Sequence, residues 1–319
     1  MECGTHLQRA ETKFFMRLPK NFGLDEIDES SLPDDDTRLA FAAFKSALIE
    51  VRRLVQVFYN MAMAAVIDNE FASTYLKTKA DSIGTNWENN EPAIEEEARR
   101  RREEAMDSKE HRDALLEKVA RRLINLSESV PELVAHTNDA ALRQSAVMLW
   151  SASESLLREY FRLAVNNQPD LAVKLFKHDE TKRLWNLRDL SLELIEEVQF
   201  DLQECMGDVL LEINPMISLK AIKAAFSVIS NSDATLTKTL KSTETYSLFA
   251  LRNLVAHRNG IVDKKFLSET DIAGSAGEKI KLTPAHFETM YVAAKAIGLT
   301  LYQYASRKGQ PHSNNAQPV

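Results

Sequence analysis

Nine glycines in 319 residues constrain the fold of this chain more than any other feature. Glycine usually makes up ~7% of a protein, and tight hairpins, left-handed turns and phosphate loops depend on it. A chain so short of it has little material for a sheet of hairpins. It carries instead long runs of apolar residues at intervals of three and four, the period of an α-helix. The expectation is an all-α protein, long enough to bury a core as one large domain or two smaller ones.

The remaining composition narrows the function class. A net charge of −7 argues against a general DNA-coating protein, whose affinity rests on excess Lys and Arg. Cys3 and Cys205 give no disulfide framework and imply a reducing compartment; Cys205 lies in a helical pattern and reads as a packing residue. The start of the chain has no signal-type apolar core, and the longest apolar stretch, 57–67, is interrupted by Asn60 and too short to span a bilayer. A cytoplasmic protein without membrane contact is expected.

Along the chain, residues 1–35 read as a loose leader, 36–130 as an N-terminal helical region, 131–306 as a second helical domain and 307–319 as a polar, disordered tail. Residues 37–69 read as one helix, with Phe41, Phe44, Leu48, Val51, Val55, Phe58, Ala62 and Ala65 forming a coiled-coil-like seam. Its expected use is packing within the chain, with oligomerisation as the alternative. Residues 95–113 mix both charges with almost nothing apolar, as a solvated helix laced with ion pairs does. Pro131 marks a break, and the next helix is expected to start at Asn138 or Asp139. Leu142, Ala146, Leu149, Leu156, Tyr160 and Leu163 make its buried seam; Glu154, one position off, reads as a surface carboxylate. Residues 184–213 read as another long helix interrupted by Gly207, Ser218 caps a helix reaching Ile229, and 230–245 read as a polar loop. Segments 261–266 and 279–282 read as a loop with one small strand pair, and Thr283 with Pro284 opens the last helix.

Chemistry concentrates in 246–266, YSLFALRNLVAHRNGIVDKKF. On a helix, Leu248, Leu251 and Val255 share one face, while Asn253 and His257, four apart, share the opposite one with Arg252 beside them. Tyr246, Phe249 and Ala250 lie around that polar pair, so this second face is also partly apolar. Gly260 suits the left-handed turn that ends a helix. Between Lys238 and Lys265 six cations (Lys238, Lys241, Arg252, Arg258, Lys264, Lys265) stand against Glu244 and Asp263, a basic spot on an acidic chain. Competing constellations are weak. His178-Asp179-Glu180 are consecutive and do not converge on a metal, the Gly274–Gly277 stretch lacks the flanks of a phosphate loop, and no Ser-His-Asp, Walker or zinc spacing is present. Neither a metal nor a cofactor is expected.

The Arg-Asn-x-x-x-His pattern of Arg252, Asn253 and His257, followed by Gly260 and late in a helical region, resembles the signature of the HEPN superfamily (higher eukaryote and prokaryote nucleotide-binding domains). The resemblance covers roughly 138–306 and implies a HEPN-like helical bundle, preceded here by a long-helix N-terminal region. It implies a metal-independent endoribonuclease whose site is completed across a homodimer through the motif helix, in a toxin or phage-defence setting that leaves room for a regulatory protein partner. The alternative is a non-catalytic HEPN module that binds RNA or nucleotides or acts as a scaffold. In the family an acidic or polar residue on the first helix sometimes lines the site. Histidine serves as base or acid near neutral pH, a guanidinium forks onto phosphate oxygens, and an Asn four residues before the His can hold its ring. On this reading Arg252, Asn253 and His257 are catalytic, and Arg258, Lys264, Lys265 and Lys241 bind RNA.

Overall fold

The computed structural model describes residues 24–85, 88–186 and 190–309. These residues are all-α, with no strand among them. Two short 3-10 turns, Leu24–Glu26 and Glu29–Ser31, precede α1 (Asp35–Val55), α2 (Val57–Ser82), α3 (Glu91–Asp107), α4 (Lys109–Ser129), α5 (Pro131–Asn167), α6 (Asp170–Lys177) and α7 (Leu192–Glu197). After these come α8 (Met206–Ile213), α9 (Leu219–Ile229), α10 (Ala234–Lys241), α11 (Thr243–Arg258), α12 (Lys264–Glu269) and α13 (Pro284–Gly309). No helix among the described residues is long and apolar enough to cross a membrane. The chain divides into two compact units, one built on Arg53–Asn138 and one on Asn21–Arg52 together with Asp139–Val319.

In the first unit α2, α3 and α4 pack on one another. Ala62 and Val66 of α2 meet Leu115 and Val119 of α4, with Met106 and Leu123 at the edge of the cluster. The charged run is not one helix but spans the end of α3 and the start of α4, broken at the extended Ser108 (φ −73°, ψ 130°). α3 is capped by the Asn90 side chain accepting from the Ala93 N–H, which satisfies one of the free amides at a helix start. Arg100 pairs with Glu97 at 2.7 Å and also with Glu104. Arg101 reaches Asp81 at 2.6 Å and Glu97 at 2.9 Å. Such exposed pairs contribute ~0–1 kcal/mol each, so this face is mainly solvated.

The second unit carries the motif helix. The Asn21–Arg52 segment groups with it, not with the 36–130 region where the sequence reading placed most of that segment. The reason is aromatic packing: Phe41 meets Tyr302 edge-on at 6.1 Å, and the buried Phe44 ring lies against Gly298 of α13. The expected single helix over 37–69 is two helices, because Gln56 (φ −93°, ψ 13°) leaves helical geometry between α1 and α2. α13 packs along α10 and α11, and α9 on α6 and α10. Phe161 stacks on Trp185 at 5.4 Å, and the buried Trp185 indole donates to the Leu210 carbonyl at 2.8 Å.

Other boundaries also move. α5 starts at Pro131, not at Asn138, since a proline in the first helical turn costs no hydrogen bond. The continuous helix expected over 184–213 is instead α7 and α8 separated by turns, with Gln199 (φ 55°) and Phe200 (φ 64°) in left-handed conformation. The expected loop 230–245 holds α10, capped by Asp233 accepting from the Leu236 N–H at 3.0 Å and docked through buried Leu236 and Leu240. Strand pairing after α11 is limited to one antiparallel bridge between Ile261 and Lys279. Thr283 and Pro284 open α13 as expected, the Thr283 hydroxyl accepting from the His286 N–H at 3.4 Å. Most of the expected leader (1–23) and tail (310–319) lies outside the described residues. Arg307 and Lys308, assigned to the tail, belong to α13.

Candidate functional site

The motif helix α11 is set at both ends by its own sequence. The Ser242 hydroxyl accepts from the Thr245 N–H at 3.2 Å at the start. At the end Asn259 (φ 51°) and Gly260 (φ 77°) turn left-handed, and the Gly260 N–H donates to the Leu254 carbonyl at 3.0 Å. That closure satisfies a carbonyl the last turn would otherwise leave free. Leu248, Leu251 and Leu254 are buried; Leu254, rather than the half-buried Val255, continues the apolar stripe. Asp263 caps α12 through the Phe266 N–H at 2.7 Å. The Tyr246 hydroxyl then donates to Glu269 at 2.6 Å, so α12 returns toward the start of α11.

Arg252, Asn253 and His257 come together. Arg252 Nη1 donates to Asn253 Oδ1 at 2.8 Å and lies 3.3 Å from His257 Nε2. A guanidinium has no acceptor, so any hydrogen bond in the second contact has the ring nitrogen as acceptor. Asn253 therefore braces the arginine; the role expected from spacing, holding the imidazole, goes to Arg252 instead. His257 is exposed, whereas Arg252 and Asn253 are half-buried.

The other side of Arg252 faces α5. Glu154, expected on the surface, is 8% exposed. Its Oε2 accepts from the Trp150 indole N–H at 2.8 Å and lies 3.9 Å from Arg252 Nη2. Burial follows from that indole, which is itself fully buried and gives the carboxylate a donor where water would be excluded. The Trp150 ring also meets Phe249 edge-on at 5.0 Å. The aromatic part of the motif helix's second face is thus covered by α5 at Phe249. Sequence reasoning passed over this pair, although Trp150 and Glu154 stand four apart on one helix, a spacing at which side chains meet.

The four expected RNA-binding cations are dispersed. Arg258 is ion-paired with Asp263. Lys264 and Lys265 are exposed in the first turn of α12. Lys241 is the last residue of α10, next to the start of α11, whereas His257 lies in the last turn of α11, roughly 21 Å along that helix from Thr243 at 1.5 Å per residue. Lys241 lines a separate cavity of about 660 Å³ with Lys220, Lys223, Tyr246 and Phe249. Burial, and then the nearby Lys241 charge, lower the pKa of Lys223, and its Nζ stands 6.0 Å from the Tyr246 ring centre. The bond to Glu269, followed by burial, pushes the Tyr246 phenol up to about 12.

Among the described residues no group of three or more His, Cys, Asp or Glu is arranged to hold a metal ion. In the His178–Glu180 turn, Asp179 pairs with Lys182 at 2.5 Å. The half-buried Cys205 thiol has its pKa raised by burial first and by Asp208 next. No family model matches the chain, and neither a curated protein nor a solved structure matches it.

Proposed function

We propose that the chain is a metal-independent endoribonuclease of the HEPN type, with Arg252 and His257 as its reacting pair. The observation that carries the reading is the placement of one guanidinium between Asn253 and an exposed imidazole, at 2.8 Å and 3.3 Å. In RNA cleavage the 2′-oxygen forms a bond to phosphorus and loses its proton to a base, while the bond to the 5′-oxygen breaks and that oxygen gains a proton from an acid. Arg252 faces the charge that grows on the phosphorane. His257 takes or gives a proton, and Asn253 fixes the guanidinium. One protomer offers one such histidine, so a two-fold dimer through the exposed side of α11 supplies both base and acid. Lys264 and Lys265, exposed just beyond His257, extend positive charge along the strand.

Purified protein incubated with total cellular RNA in EDTA is expected to release products ending in 2′,3′-cyclic phosphate and 5′-hydroxyl. His257→Ala is expected to lose roughly 10²–10⁴-fold in rate, with the circular dichroism spectrum and dimer mass by light scattering unchanged. Cleavage as fast without His257 as with it refutes the reading. Wild-type protein that binds RNA and cuts none of it makes the chain a binding module instead.

A further inference from the structure

The α5 face that carries Glu154 also carries Ser151, Ser155 and Arg158, at helical spacings that put them on one side. With Arg252 from α11 and Leu211 from α8 they line an open cavity of about 430 Å³. Two guanidinium groups therefore face one space, and the Nε–H of each is buried without a hydrogen-bond partner. Arg252 is otherwise occupied by Asn253 and His257. Arg158 is half-buried and has no ion-pair or hydrogen-bond partner among the described residues.

Both carboxylates of the cavity are already engaged. Glu159 receives Arg162 at 2.5 Å through Nη2 and at 3.1 Å through Nε. Glu154 is committed to the Trp150 indole and stands 3.9 Å from Arg252. A permanent charge drawn partly out of water without a counter-ion is unfavourable unless a ligand supplies one. The exposed Ser151 and Ser155 add two hydroxyl donors on the same face. This is the donor set a phosphate group takes: a planar fork, a second guanidinium and two hydroxyls.

We propose that this cavity is a phosphate site anchored by Arg158, and that its occupant is a backbone phosphodiester of single-stranded RNA next to the one being cut. The anion site stands on the cavity alone; the RNA occupant rests on the ribonuclease reading. Arg252 connects the two, since one guanidinium borders both the cavity and the His257 imidazole. A strand whose scissile phosphate meets Arg252 can thus set a neighbouring phosphate on Arg158, in a space large enough for the group and its sugar.

The test uses a fluorescent 2′-O-methyl oligoribonucleotide, which lacks the nucleophile and so reports binding alone, titrated at several salt concentrations. Arg158→Gln is expected to weaken binding about tenfold and to reduce the slope of log affinity against log salt by about 0.7, one phosphate contact on a single strand. Arg158→Lys is expected to recover the slope but not the full affinity, because it keeps the charge and loses the fork. Arg121→Gln, an exposed arginine in the other unit, controls for net charge. A second arm adds inorganic phosphate to ¹⁵N-labelled protein and reads the arginine Nε–H signals. Should the oligonucleotide fail to bind while phosphate shifts the Arg158 and Arg252 signals, and Arg158→Gln abolishes the Arg252 shift, the anion site holds and the RNA occupant falls. Equal behaviour of Arg158→Gln and Arg121→Gln, with no phosphate-induced shift, overturns the proposal even if the protein cleaves RNA.

Discussion

Glu154 separates two contributions that a single substitution would confuse. Replacing it with Gln keeps a carbonyl to accept from the Trp150 indole, now 2.8 Å away, and removes only the charge facing Arg252 at 3.9 Å. The Arg252 side chain is 22% exposed, so water screens that pair and its loss is expected to cost about 1 kcal/mol. Replacing it with Ala also strands the indole N–H in the core, which adds about 1–3 kcal/mol. For a domain of this size the sum corresponds to a melting point lower by roughly 5–15 °C. Urea unfolding followed by tryptophan fluorescence reads both variants, and Trp150→Phe closes a double-mutant cycle. In the Trp150→Phe background no N–H remains to strand, so Glu154→Ala is expected to cost about 1–3 kcal/mol less than in wild type. Equal losses for the Gln and Ala variants, or zero coupling in the cycle, would refute the account of why this carboxylate is buried.

Two further outcomes are expected. Gly298→Ala places a Cβ 2.2 Å from Cε1 of the buried Phe44 ring, and is expected to destabilise by about 1–3 kcal/mol through overpacking; Phe44→Leu, which removes the clashing ring atoms, is expected to relieve most of that in thermal melts. The Tyr246 phenol, held up to about 12 by Glu269 and burial, is expected to ionise after a tyrosine of ordinary pKa (~10) in an ultraviolet titration, and Glu269→Gln is expected to bring it down. The sign follows from linkage: a phenol that keeps its proton longer when folded favours the folded state below pH ~10, and that contribution is lost as pH rises through about 12.

The all-α class was legible because scarce glycine and three-four spacing are local properties that act on every segment. The motif helix was legible for the same reason: Leu248, Leu251 and Gly260 each act within a turn or two. Errors came where helical spacing permits several neighbours and the packed structure selects one of them. Glu154 looks like any solvated carboxylate until Trp150 places a donor beside it, and Asn253 looks like a brace for the ring until Arg252 reaches it first. Residues 234–241 read as loop because Thr and Lys dominate, yet Leu236 and Leu240, four apart, suffice to dock a helix behind Asp233. Lys241 and His257 share a basic stretch in sequence, but Lys241 closes α10 while His257 lies in the last turn of α11, a separation that charge counting along the chain cannot register.

The contact between Arg252 and Nε2 of His257 has a consequence of exclusion. An imidazole nitrogen offers a single lone pair, directed in the ring plane, and here the guanidinium occupies it. No second donor can use that atom until the arginine swings off. The Nε–H of the same side chain has no partner and borders the cavity beside α5, so one planar group serves the ring at one edge and that space at another. The ring is held through Nε2 from one edge, and proton transfer through that atom requires the guanidinium to move first.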